Sequence, residues 1–262
     1  LGRRARVGPV RGDRGFVGID RGLSTYLVAA RADGTEVGRV VPPRPLVRSL
    51  PKLSKACKAA SRRQPHSQNR RRANARIALI HAKIVDQRRD FLHRTSSALV
   101  KTHDRLCLED LAVKNLMGNS RLARHIGDAA WGGFHQMVVY KSTWYGTELV
   151  SAPRSFPSTK TCSGCGWRWA EMKLADRVFL CQRCGLVVDR DLNAAVNLAL
   201  WANAEHASAS RAPDPEALGR VVNACGGTGA GHHLGGGETS PATVRQKRTK
   251  KQEPARSGPR SR

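Results

Sequence analysis

A chain of 262 residues can bury one sizeable core and still leave room for a small appended module and a tail. Lysine and arginine number 46 against 20 acids, a formal charge of +26 spread over most of the chain. Such a surplus only repels itself in a free-standing globule, so it points to a polyanion; ribosome-like packing on RNA and an arginine-rich genomic composition are the plainer alternatives. No apolar run approaches the roughly 20 residues that cross a bilayer, and the basic stretch 1–14 has no signal-type apolar core after it, so no membrane partner and a cytoplasmic location are expected.

In chain order, the run from Gly15 to Asp20 reads as a buried strand, followed by Thr25 to Ala30, a turn at Asp33-Gly34, and Glu36 to Val41, together an antiparallel meander. A proline-broken link runs from Pro42 to Pro51. Basic helices are then expected over 52–100, with Ile77, Ile80, Ile84, Phe91 and Leu99 at helical spacing. Between them lie Arg70, Arg71, Arg72, Arg76, Lys83, Arg88 and Arg89, a density of one sign that favours a phosphate-facing surface over a merely solvated one. Arg105 to Glu109 reads as a fourth strand, Lys114 to Asp128 as a polar segment, Trp131 to Tyr145 as a helix and Thr147 to Ala152 as a fifth strand. A cysteine module follows over 157–188, then a last helix from Leu192 to Ala204 and a Gly-, Ala- and Pro-rich basic tail over 205–262, expected to be disordered. No internal repeat is visible.

Cys162-x2-Cys165, fifteen residues, then Cys181-x2-Cys184 matches the spacing of tetrahedral four-thiolate zinc sites, the intervening residues supplying a hairpin. Gly164, Gly166 and Gly185 suit the tight turns of the two knuckles. Four protein ligands leave no open position, so one structural Zn2+ is expected. Cys107 reads as a small buried hydrophobe; Cys57 and Cys225 carry no functional reading.

Asp20 ends the first strand, Glu109 ends the fourth, and Asp191 opens the last helix. Singly, each has a plain role: a turn cap before Gly22, a partner for an arginine, a helix N-cap. Jointly they suit paired divalent cations, which need carboxylates converging from different elements, and hydrolysis of a phosphodiester then follows.

At these residues the chain resembles the TnpB/OrfB family of transposon-associated RNA-guided nucleases, with its split RuvC nuclease domain and inserted zinc ribbon. The resemblance rests on Gly18-Ile-Asp-Arg-Gly-Leu-Ser24, Arg88 to His93, Leu108 to Lys114, Phe156 to Gly166, Leu174 to Phe179, and Asp189-Arg-Asp-Leu-Asn-Ala-Ala195, in that order. It implies an α/β, RNase H-like fold, a mixed five-stranded sheet flanked by helices, with RuvC-like parts over 15–156 and 189–204. It also implies that Asp20, Glu109 and Asp191 are catalytic acids holding Mg2+, two ions in all, and that DNA and a guide RNA are the partners, at a prokaryotic nucleoid. Asp189 stays beside Asp191 as the alternative ligand. Only a short basic remnant, 1–14, precedes the first strand, so the chain is expected to be a fragment or to lack the recognition half of its relatives. The competing reading is a non-catalytic zinc-ribbon remnant that binds nucleic acid. The sequence discloses neither oligomeric state nor target.

Overall fold

The computed structural model describes residues 15–211 with the exception of Leu174. The basic remnant 1–14, the expected disordered tail beyond residue 211 and Cys225 lie outside the described residues.

Three short strands, β1 (Val17–Arg21), β2 (Leu27–Arg31) and β3 (Glu36–Val40), form the antiparallel meander. Its second turn holds Gly34 at φ +88° while the Asp33 carboxylate accepts the Thr35 N–H at 2.8 Å. The stretch expected as a proline-broken link is instead largely helical, because α1 (Pro45–Ser61) begins on a proline and carries Pro51 within it. A first-turn proline sacrifices no hydrogen bond and presets φ for the helix.

A long helix, α2 (Gln68–Thr102), starts where the Ser67 hydroxyl accepts the Arg70 N–H. After β4 (Arg105–Glu109), the expected polar segment holds two short helices, α3 (Val113–Met117) and α4 (Ala123–Ala129). Then come α5 (Trp131–Tyr145), β5 (Glu148–Ala152), a 3-10 turn (Ser158–Lys160), and the small hairpin β6 (Val178–Leu180) and β7 (Val187–Asp189). The last helix, α6 (Arg190–Arg211), runs beyond the expected end at Ala204. Alanines at 202, 204, 207 and 209 keep its propensity high.

Strand order in the main sheet is β3-β2-β1-β4-β5, with β1, β4 and β5 mutually parallel. This is the expected α/β architecture, a mixed five-stranded sheet covered by helices on both faces. Period-2 alternation divides the strands: Val17, Ile19, Leu27, Leu106 and Leu108 join Leu92, Leu99, Phe134 and Val138 of α2 and α5 in the larger core. On the other face Phe16, Cys107 and Ala152 pack on Leu198 and Ala202 of α6, and Val28 and Ala30 on Ala195 and Val196.

The tightest junction is β1 against α6. A Cβ on Gly18 would stand 2.0 Å from the Ala195 carbonyl oxygen and 2.6 Å from the Ala199 nitrogen, both backbone atoms that cannot swing away. Gly18→Ala should therefore force the helix off the sheet, at a cost at or above the ~1–3 kcal/mol usual for overpacking. Urea denaturation at equal m-value checks this; a midpoint within error of the wild type would show that α6 is not seated by this junction.

Candidate functional site

The same alternation that divides the core sends Asp20 and Glu109 toward α6. They follow the paired residues Ile19 and Leu108 on adjacent parallel strands, so their carboxyls meet at one end of the sheet. Asp191 reaches the same place from the first turn of α6. Asp189, the alternative, is placed otherwise: its Oδ1 accepts the Leu192 N–H at 3.0 Å as the cap of α6 and meets Arg39 at 3.3 Å.

Asp20 is 8 % exposed, and burial first, then the negative charges of Glu109 and Asp191, push its carboxyl well above the usual range; Arg190 opposes this, and a hydrogen bond with Glu109 adds to the rise. Arg190 lies against Asp191, Nη2 to Oδ1 at 3.0 Å. The Ser158 hydroxyl donates to Glu109 Oε1 at 2.9 Å. Behind the strand ends the buried Arg21 donates through Nη2 to the Glu109 main-chain carbonyl. Hard carboxylate oxygens brought to one end of the sheet, with the proton affinity of Asp20 raised, fit a divalent cation. An open cleft begins at Glu109 and Arg190 and runs between the chain after β5 and the cysteine module, passing Arg154, Lys160 and Lys173.

The four cysteines form the one group among the described residues whose possible ligand atoms all lie within 4.8 Å of one another; the acids stand more openly. Cys162 Sγ is 3.6 Å from Cys184 Sγ, and Cys165 Sγ 3.5 Å from Cys181 Sγ, too long for disulfides and close to the ~3.8 Å between thiolates around an ion bonded at about 2.3 Å. This group can hold a metal ion. Each knuckle closes with a glycine N–H on the carbonyl of its first cysteine, Gly166 on Cys162 and Gly185 on Cys181, both glycines at positive φ; Gly164 does not need that conformation. The hairpin does not lie between the two cysteine pairs as expected: its turn is the second knuckle itself. Burial acts to raise the Cys181 pKa, but N–H groups of Cys184 and Arg183 bring it down to about 6, so it is ready to act as a thiolate. Burial pushes Cys162 up to about 12. Cys57 is exposed and Cys107 buried.

The basic helix separates into two groups. Arg70 reaches back to the Ala60 carbonyl at the end of α1. Arg88 pairs with Asp128 at 2.9 Å, and the same buried carboxylate accepts the Leu46 and Val47 N–H groups at the start of α1, where no local side chain caps the helix. These two guanidiniums are therefore held by the fold rather than presented to a ligand. Arg71, Arg72, Arg76, Lys83 and Arg89 remain exposed, and Arg76 and Lys83 share an open groove with Arg48 and Lys52 of α1.

Sequence reasoning missed Ser158, Arg190, Asn193, Asn197 and Asp128. Two asparagines one turn apart in an apolar, alanine-rich helix are a readable signal of buried amide pairing; Ser158 and Asp128 act on partners tens of residues away and leave none.

With this geometry in place, comparison with known proteins identifies the class. Residues 9–120 match the family described as "Probable transposase" and residues 131–198 the "Cas12f1-like, TNB domain". The chain belongs to the TnpB/OrfB family. It is 39% identical over 192 residues to a "Putative RNA-guided DNA endonuclease" of Streptomyces pristinaespiralis, covering 73% of this chain and 46% of that protein. It is 29% identical to the "Putative RNA-guided DNA endonuclease InsQ" of Escherichia coli (strain K12), covering 72% and 50%. The solved structure "Cryo-EM structure of the Cas12f1-sgRNA-target DNA complex" shares the fold at TM-score 0.54 and 18% identity, over 72% of this chain and 50% of that one. The chain thus spans about half the length of these relatives. No helix among the described residues is long and apolar enough to cross a membrane.

Because Asp20 binds its proton more tightly folded than unfolded, its ionisation destabilises the fold, a loss that grows as pH rises from the ordinary carboxylate range through the raised folded value. Asp20→Asn should therefore stabilise the metal-free protein at neutral pH, by about 2–4 °C in Tm per kcal/mol relieved, and the gain should vanish near pH 4. Thermal scans at both pH values in chelator check this; a Tm unchanged or lowered at pH 7 would mean the carboxyls do not repel one another.

Proposed function

We propose that this chain is the nuclease part of a TnpB-like, RNA-guided DNA endonuclease of transposon origin, and that Asp20, Glu109 and Asp191 carry the chemistry. The observation that carries this is the convergence of three acids, from β1, β4 and α6, of which Glu109 lines an open cleft that also holds Arg154, Lys160, Lys173 and Arg190. The names of the Streptomyces and Escherichia relatives support DNA as substrate and RNA as guide; a substrate of that kind would set the protein in a prokaryotic cytoplasm, at the nucleoid.

In this reading the three acids hold Mg2+, two ions, which when bound would activate water and stabilise the leaving 3′ oxygen. Ser158 orients the Glu109 carboxylate by its hydrogen bond. Arg190 neutralises Asp191 until a cation competes for it. Lys160, Lys173 and Arg154 lie where a phosphodiester strand would pass on its way to Glu109. One Zn2+ is held by Cys162, Cys165, Cys181 and Cys184, and four thiolates leave it no open position, so its role is structural. Asp191's ion pair with Arg190 and the open stance of the acids favour a second reading, a non-catalytic zinc-ribbon protein that only binds nucleic acid.

The deciding assay joins this chain to the remaining half of the Streptomyces relative with that protein's guide RNA. Mg2+-dependent target cleavage is expected, falling by orders of magnitude in Asp20→Asn, Glu109→Gln or Asp191→Asn while target binding persists. Full-rate cleavage by the double Asp20→Asn, Glu109→Gln variant would refute the catalytic assignment, and binding without cleavage would establish the second reading.

The groove between α1 and α2 supplies a separate prediction. Replacing Arg48, Lys52, Arg76 and Lys83 by glutamine should flatten the dependence of log affinity on log salt by roughly 0.7–0.9 for each phosphate no longer neutralised. Arg70→Gln and Arg88→Gln should instead lower Tm with little change in slope. A slope unchanged by the fourfold variant would make the groove a solvated face.

A further inference from the structure

Ser158 stands between the two candidate centres. Its hydroxyl donates to Glu109 Oε1 at 2.9 Å, and its carbonyl accepts from Asn197 Nδ2 at 2.7 Å. The same amide donates to the Thr161 carbonyl at 2.6 Å, which also accepts from Asn193 Nδ2 at 2.7 Å. Asn193 Oδ1 in turn accepts the Ser163 N–H at 3.0 Å. Thr161 and Ser163 flank Cys162, so the first knuckle of the cysteine centre is tied, through two amides on α6 and one 3-10 turn, to the side chain of Glu109. Asp191 opens the same helix.

Asn193 and Asn197 are 0 % and 4 % exposed. A buried amide without partners is strongly disfavoured, so these two hold the knuckle backbone in one arrangement and depend on it in return. A bound ion is what favours drawing the four sulfurs together, and in such modules the free energy of metal binding is free energy of folding, so loss of the ion frees the knuckle to relax. If the knuckle relaxes, Thr161 and Ser163 leave their amides and Ser158 is released, while β4, packed in the sheet core, keeps Glu109's backbone in place. What changes is the direction of one carboxylate.

We infer that ion occupancy at the four cysteines is thermodynamically coupled to cation binding at Asp20, Glu109 and Asp191, with Ser158, Asn193 and Asn197 as the positioning residues between them. The inference rests on the reading of both clusters as metal centres and adds that each senses the other. Coupling of this kind is reciprocal: zinc tightens binding at the acids by the same factor by which a cation at the acids tightens zinc. Outer hydrogen bonds to ligating carboxylates commonly govern metal affinity by 10- to 100-fold.

The test uses the full chain, confirmed by elemental analysis to hold one zinc, with Mn2+ as the probe of the acids, because that hard ion prefers oxygen ligands and does not displace zinc from thiolates. Mn2+ binding is read from the spin-resonance signal of the free ion, and zinc affinity by competition with a chromogenic chelator. Removing zinc should weaken Mn2+ binding at least about fivefold, and saturating Mn2+ should raise zinc affinity by the same factor. Ser158→Ala should keep its zinc and its circular dichroism yet bind Mn2+ about 10- to 100-fold more weakly, with zinc affinity now indifferent to Mn2+; Asn197→Ala should do the same. Should either variant fail to fold, the reciprocity in the unaltered chain still decides. Mn2+ binding that is lost in Asp20→Asn yet indifferent to zinc overturns the coupling alone, whereas Mn2+ binding that survives Asp20→Asn overturns the acid-cluster reading beneath it.

Discussion

The approach of α6 to β1 across Gly18 is the constraint on which the rest of the molecule depends. With no side chain at Gly18, helix backbone lies directly on strand backbone, and the first turn of α6 reaches the sheet end where Asp20 and Glu109 emerge. A helix held farther off by ordinary side chains would carry Asp191 out of reach of both. Alternation then completes the placement, because only odd-even position decides that Asp20 and Glu109 face α6 while Ile19 and Leu108 enter the opposite core.

Assembling three carboxylates in a half-dry place has an electrostatic cost, which arginines offset from two sides. Arg190 lies against Asp191 in front, and Arg21 is buried behind, holding the Glu109 carbonyl. The residual strain remains on Asp20, whose proton is held well above the ordinary range. A carboxyl held so far from its ordinary range by burial and by neighbouring acids is the kind of perturbation that clusters at functional sites.

Charge elsewhere divides between internal and external work. Asp128 gathers Arg88 and the uncapped start of α1 into one buried knot, and Arg70 closes the other end of that helix. The helical hairpin of α1 and α2 is thereby stiffened by a few of its own bases, which leaves the others exposed along the groove. In the cysteine module, backbone N–H groups prepare a thiolate at Cys181, and paired amides join the knuckle to α6.

Much of this was legible in the sequence because the signals are local. Two Cys-x-x-Cys pairs, alternating strands ending in acids and a long basic helix depend on residues a few positions apart, so spacing located the cysteine cluster and the strands, while the likeness of the ordered motifs pointed to the family. Helix limits were less legible: Pro45 reads as a breaker unless one knows that it stands at a first turn, and alanines prolong α6 past its expected end. Which aspartate caps α6 and which joins the cluster, which arginines are internal, and that Ser158 serves Glu109 were decided only by tertiary structure. Each depends on what the folded chain brings within about 3 Å from elements tens of residues apart, and a hydrogen bond of that range leaves no periodicity behind to be read.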